Sequence, residues 1–587
     1  MRRALRKNGA VFSWFLIIVA CFLAHAGCDT IDLNTDEGIK KALTRKEKLN
    51  EAMKEIKSLS SDRARLATFG PELAALYVDG SNFDREVLGY LTAIADIKYK
   101  DAYLKAAKSE DSKQLLQAAS VISTLKIEEA VPDLIQAYDK ARDHDLRRAI
   151  MEVGLSVPSK DMAKLAHELL RDKGPDDVPI ANLRLACRVL DFQVMPEAAP
   201  VLIKAVFYAD AVGRNIAEDC SAAVLALGRP VIPDLLAAFK LEDEDLNRFI
   251  SRNQDRMTPE SVVLAAATML GKLRAIEGRE ALLTWLADPT PIRPPAALAM
   301  KSHADPAWME WAALIGQTTQ EVIFSLNDIG VEGDENAKKV LLDIYRWVEP
   351  YPTKYQRPID LTGMNMIEIS ARVNAARVLA ENGFLDDETL KGLLNVLKDP
   401  SFNDDRKLRP AARAALAQDL VTYLAITSRP GWTESVWTFF DEMAKNELAE
   451  KPDAKIKYDL EPSRQRIADM KSTYELADDC QDSAACFLNS LDDLSPENNY
   501  RRIKAVYEIG RSGRHDYFDI VLKGYEHFDA FGLIFATDAL ARLGLPEDIT
   551  KVENEIERLS QSRDAQYFML LRNYLNPLRA TLRAKGE

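Results

Sequence analysis

A short apolar phrase recurs along these 587 residues: an alanine-containing helical run, then Leu-Gly or a near equivalent, then a turn and another helix. It reads Val224-Leu225-Ala226-Leu227-Gly228, Thr268-Met269-Leu270-Gly271, Ala505-Val506-Tyr507-Glu508-Ile509-Gly510 and Ala541-Arg542-Leu543-Gly544, with looser copies ending at Gly154 and Gly383. One such helix pair cannot bury its apolar face alone. Stacked copies can, so self-similarity at a period of some tens of residues predicts a helical solenoid.

Other periods agree. Leu115, Ala118, Ala119 and Ile122 fall on one helical face. Helix starts with proline in the first turn recur at Pro132, Pro200 and Pro233, where the missing N–H has no intrahelical partner to lose. Their spacings are 68 and 33 residues, close to two units and one. Further on, Leu286-Ala287-Asp288-Pro289 precedes Arg293 and an alanine-rich run, Ala296 to Ala299. Leu397-Lys398-Asp399-Pro400 likewise precedes Arg409-Pro410-Ala411-Ala412-Arg413.

An Asp-Pro turn followed by a helix with arginine and small residues at its seam resembles the HEAT-repeat family. Small residues allow close helix approach, and aspartate suits a helix start. The resemblance covers most of the chain from about residue 65 onward. It implies an all-α solenoid of stacked antiparallel helix pairs, roughly twelve to fifteen of them at the family's repeat length. Pro-containing polar stretches divide the chain. Residues 28–64 read as a tether and capping helix, 65–450 as the solenoid, 451–475 as a linker, and 476–587 as a smaller C-terminal helical block.

The N-terminus carries a separate message. Arg2, Arg3, Arg6 and Lys7 lead into the apolar run Val11 to Leu23, then Ala24-His25-Ala26-Gly27-Cys28. Basic, apolar and small-residue regions in that order predict a signal peptide over residues 1–27. The apolar run is short for a membrane span, which needs about 20 residues. Ala26-Gly27-Cys28 resembles a bacterial lipoprotein signal, which implies diacylglyceryl attachment at Cys28. Ordinary cleavage after Ala26 and an uncleaved anchor are the alternatives, and every version exports the chain. The expected location is a bacterial membrane facing the periplasm, with the outer membrane slightly favoured and a soluble periplasmic form as the alternative.

An oxidising compartment invites cysteine pairing. Cys480 and Cys486 flank a short polar segment and are the expected disulfide. Cys187 and Cys220 lie in apolar helical patterns and read first as buried free thiols, with a disulfide between them as the alternative.

Net charge is −14, and the first 27 residues hold four basic groups and no acid. Such a balance argues against a nucleic-acid ligand, whose phosphates need a basic face. The usual signatures of hydrolases, nucleotide-binding loops and metal sites are absent, so no catalytic residue, metal or cofactor is assigned. Ser123-Thr124-Leu125-Lys126 matches Ser-x-x-Lys but lacks a Lys-Thr-Gly partner. Glu242 to Asp245 reads as a solvated loop. Trp308 and Trp311 share a helical face and read as core, or as binding anchors if exposed.

The best candidate contact is the loop bearing Trp347, Tyr351, Tyr355 and Arg357, since long loops in compact arrays tend to be functional. The chain is therefore expected to be a non-catalytic scaffold that binds protein partners in the envelope. The alternatives are a ligand-binding or lyase-like accessory solenoid, and an assembly factor stacking those aromatics on glycan.

Overall fold

The computed structural model describes residues 31–253, 257–294, 298, 305–355, 362–396, 419–450, 456–481, 483–561 and 565–586. These residues are helical apart from turns and one isolated antiparallel bridge between Ala209 and Asn215. The chain is an all-α solenoid of stacked helical hairpins. It divides into two compact units, residues 1–193 and 194–587.

The first unit is two rows of helices. The front row holds α1 (Gly70–Asp79), α3 (Lys100–Ala107), α5 (Val131–Lys140) and α7 (Lys160–Asp172). The back row holds α2 (Asp84–Ile94), α4 (Ser112–Leu125), α6 (His144–Val153) and α8 (Ile180–Phe192). Within each row every helix packs on the next.

Helix α4 shows how sequence makes the unit. Asp111 caps it by accepting from the N–H groups of Lys113 and Gln114, at 3.0 and 3.1 Å. The predicted face Leu115, Ala118, Ala119 and Ile122 is buried. Leu115 and Ile122 each contribute about 1.5–3 kcal/mol by leaving water. Lys126 then turns left-handed (φ 54°) and ends the helix. A 3-10 turn, Glu128–Ala130, leads into α5, whose first turn carries Pro132. Ala95, Gly228 and Arg274 also have positive φ and are followed by a 3-10 turn and the next helix. The charged N-terminal segment expected as one helix is two, Asp36–Leu43 and Leu49–Ser58, and the first packs on α1.

In the second unit an inner row runs through α9 (Ala217–Ala226), α10 (Pro259–Lys272), α11 (Pro306–Ile329) and α12 (Thr362–Glu381). Later come α13 (Asn499–Arg511), α14 (Ala530–Leu543) and α15 (Ala565–Ala584). Helix α15 packs on α14 and also back on α9 and α10, so the row returns to its beginning. Thr581 donates to the Lys272 carbonyl at 2.5 Å, and Arg583 donates to that of Ala226 at 2.9 Å. The residues expected as a semi-independent block are therefore the closing arc of this unit.

The expected linker also differs. Residues 456–480 are one helix whose Met470, Tyr474 and Ala477 are buried at helical spacing, a period that outweighs the local polarity read as a border.

The recurrent glycines mark helix crossings. A Cβ on Gly271 would stand 2.7 Å from Ser325 Oγ, and one on Gly510 would stand 2.7 Å from Ala539 Cα. Only glycine admits α11 and α14 at those distances. Helix C-termini are closed by a second device, a cation or amide from elsewhere in the same unit that donates to the last carbonyls. Lys105 serves the end of α1, Arg279 that of α11, and Arg583 that of α9.

Candidate functional site

Most of the predicted contact loop is a buckle inside the second unit. After helix Glu335–Arg346, Trp347 turns left-handed (φ 54°) and Pro350 follows a cis peptide bond. Tyr351 and Tyr355 are 1% and 4% exposed. The Tyr351 hydroxyl donates to the Val340 carbonyl at 3.4 Å, and the Tyr355 hydroxyl shares a 2.8 Å bond with Thr319. Trp347 stacks on Tyr355 with centroids 5.7 Å apart and is half-buried. The two tyrosines thus give no surface to a protein or a sugar. Their rings were needed to fill the space under the loop, a bland role that composition cannot separate from a contact. Arg357 and Cys28 lie outside the described residues.

Lys354 explains why the loop folds inward. It is buried, caps the end of helix Arg279–Ala287 through the Trp285 and Leu286 carbonyls, and lies 4.1 Å from the centroid of the Trp285 ring. Burial lowers its pKa from 10.5 to about 8, against the pull of Asp288.

The strongest concentration of chemistry is a charged hub where α10, α11, α12, α14 and α15 meet around a cleft of about 200 Å³. Asp538 bridges Arg274 and Arg542, the latter at 2.7 Å. Burial pushes its carboxyl up, but the two guanidinium groups overcome this and hold it at about 2. Arg377 is paired with Glu381 along α12 and lies 5.0 to 5.2 Å from the ring centroids of Phe324, Tyr423 and Phe535. Glu381 also accepts from Asn327, which accepts in turn from Asn382.

Asp328 stands among these groups. Burial, with smaller contributions from Asp538 and Glu321, raises its pKa from 3.8 to about 7, although Arg274 and Arg377 oppose the shift. The cleft thus offers one carboxyl that titrates near neutrality, set between fixed ion pairs.

A wider cleft of about 460 Å³ adjoins it between α9 and α15 and shares Lys272, Asn573 and Pro577. Sequence reasoning missed the hub. Its available signal was in α12, where Glu368/Arg372 and Arg377/Glu381 stand four apart in a helix otherwise rich in small apolar residues.

Cys480 and Cys486 form a disulfide, with Cα atoms 5.4 Å apart. Cys187 and Cys220 are buried and disulfide-bonded, not free thiols; an apolar helix suits a half-cystine as well as a thiol. Trp308 and Trp311 are core residues, packed edge to face with centroids 5.6 Å apart. The acidic run at 242–245 begins a helix, Glu244–Arg252, which Asp243 caps by accepting from Leu246 N–H at 3.0 Å. Among the described residues no group of three or more His, Cys, Asp or Glu is placed to hold a metal. Nor is any single described helix long and apolar enough to cross a membrane.

No protein-family model and no curated protein matches the chain. Among solved structures it is similar to one described as "Kap95p Binding Induces the Switch Loops of RanGDP to adopt the GTP-bound Conformation: Implications for Nuclear Import Complex Assembly Dynamics". That match has 11% identity and a TM-score of 0.37, over 94% of this chain and 80% of that chain.

Proposed function

We propose that this protein is a non-catalytic scaffold of the bacterial envelope, tethered through a lipid on Cys28, that binds protein partners with the back row of its first unit. The observation that carries this reading is the row itself. Four helices, α2, α4, α6 and α8, lie side by side, and Arg85, Ser120, Arg148 and Arg188 are exposed along them. Regular helix rows with polar, solvated side chains are how stacked repeats present extended binding surfaces. The inner row of the second unit packs instead against its own last helix. Export is supported by the order of basic, apolar and small residues before Cys28, and by bonded cysteines, which persist in oxidising compartments.

The test is crosslinking in living cells, affinity capture and mass spectrometry, on wild type and on Arg85→Glu/Arg148→Glu/Arg188→Glu. One or two envelope proteins captured by wild type and lost in the triple variant are expected. Absence of any specific partner would overturn the scaffold. Labelling with a palmitate analogue tests the tether: wild type should label and Cys28→Ser should not.

A further inference from the structure

Arg502 on α13 is a strongly buried cation whose hydrogen-bond acceptors are all neutral oxygens. It is 6% exposed, yet no carboxylate lies within ion-pair distance among the described residues. Its guanidinium makes only long bonds: to the Asp493 carbonyl at 3.2 Å, to Asn499 Oδ1 at 3.2 Å and to the His527 carbonyl at 3.4 Å. Its Nε has no partner. Asp493, whose carboxyl is held below the usual range first by its bonds from Ser495 and also by the Arg502 charge, turns its oxygens to Ser495 and Asn498 and forms no ion pair with Arg502. A buried charge without an ion-paired carboxylate is costly and is normally matched.

Arg502 lines a groove of about 460 Å³ between residues 491–494 and helix Phe518–Gly524. Val521 and Phe528 form its buried floor. Leu494 and Ile520 stand on its edges at 51% and 45% exposure, large aliphatic groups left in water. The Cys480–Cys486 disulfide staples the chain shortly before this wall. Asp492, Asp519, Lys523 and His527 complete a polar, exposed rim. An apolar floor, a polar rim and one buried cation suit a ligand with aliphatic side chains, amides and a terminal negative charge.

We infer that this groove captures the free C-terminus of a partner protein ending in aliphatic residues, with the terminal carboxylate at Arg502. The rim favours a peptide over a fatty acid, because peptide amides can pair with Asp492, Lys523 and His527 and a hydrocarbon chain cannot. The inference adds a second site to the scaffold reading and does not depend on the back row of the first unit.

The test is fluorescence anisotropy on the full exported chain, using pooled hexapeptides with an N-terminal fluorescein and Leu, Ile or Val at each of the last three positions. The pool with a free carboxylate should bind at least about tenfold more tightly than the same pool as C-terminal amides, the ratio expected for one charge-assisted contact. Arg502→Met should erase that ratio. Because Arg502 also holds carbonyls, Leu494→Glu and Ile520→Glu serve as exposed variants that leave the fold intact, and each should abolish binding. Equal binding of acid and amide pools, no binding, or indifference to Leu494→Glu would overturn the site. Binding of laurate with the same Leu494 dependence, but not of the peptides, would overturn it in favour of a lipid. If the peptides fail while crosslinked partners are still captured, the scaffold stands and this groove falls.

Discussion

The two units solve the same packing problem with different electrostatics. In the first, each helix meets its neighbours and the ion pairs across hairpins are exposed at one end or both: Arg65 with Asp36, Arg85 with Asp111, Lys100 with Glu129. In the second, Arg372 with Glu368 and Arg377 with Glu381 are buried, as is Lys504 beside a part-buried Glu508, and contacts join residues more than 260 positions apart. A stack that needs only neighbours sums its stability repeat by repeat. A row that returns to its beginning must also get its closure right, and removing the last helix strips contacts from both ends.

The largest expected effect follows from that closure. Deleting residues 565–587 removes Leu571, Leu575, Leu578 and Leu582, all buried. At roughly 1.5–3 kcal/mol each, their burial is comparable with the whole stability of a domain. All tryptophans beyond residue 27 lie in the second unit, so their fluorescence reports that unit alone. The truncated chain should lose its cooperative fluorescence transition in urea. A sharp transition at the wild-type midpoint would show that closure contributes little.

Next comes the buried charge. Glu381→Ala leaves Arg377 enclosed by three rings without its counter-charge and should cost about 3–5 kcal/mol in the second unit. Arg85→Ala breaks an exposed pair in the first and should cost at most about 1 kcal/mol. Equal costs by chemical denaturation would mean that the two units do not differ in the way described. Replacing Arg377 and Glu381 together by Met and Leu is the sharper variant. Near-wild-type stability there, with a poorly ordered second unit by amide exchange, would assign the pair to fixing register.

What was legible in the sequence tracks the same contrast. Helix α4 could be read in full, because its cap and its apolar face are contiguous and local. The hub could not. Arg274 and Asp538 are 264 positions apart, and no period along the chain brings them together. The aromatic loop misled for a related reason. Tyr351 and Tyr355 have the composition of a contact, and only Lys354, reaching 69 residues back to the Trp285 carbonyl, shows the loop turning inward. The left-handed helix ends at Ala95, Lys126 and Arg274 left no mark, since none is glycine.

Asp328 keeps its proton up to about pH 7 when folded, whereas the unfolded chain releases it near 3.8. Between those values the folded state binds the extra proton, so stability rises as pH falls from 7 towards 4. Over the whole interval a shift of this size corresponds to about 4 kcal/mol. The fluorescence-detected midpoint of the second unit should rise between pH 7.5 and 5.5 in wild type and lose most of that rise in Asp328→Asn. An unchanged slope in the variant would assign it to other groups.

The smallest effect lies on the alkaline side and has the opposite sense. Lys354 releases its proton near pH 8 when folded but near 10.5 when unfolded, so over that interval the unfolded chain binds more protons and stability rises with pH. In Lys354→Met the slope should vanish. Near neutrality the variant should sit within about 1–2 kcal/mol of wild type, because it removes the cost of a buried charge but leaves the Trp285 and Leu286 carbonyls without their donor. Together, Asp328 below pH 7 and Lys354 above pH 8 place a minimum in the second unit's stability between the two values. The first unit, whose ion pairs are exposed, should show no such minimum when its unfolding is followed by amide exchange. A minimum common to both units would erase the electrostatic distinction. One that disappears only in the Asp328→Asn/Lys354→Met double variant would locate it in these two side chains.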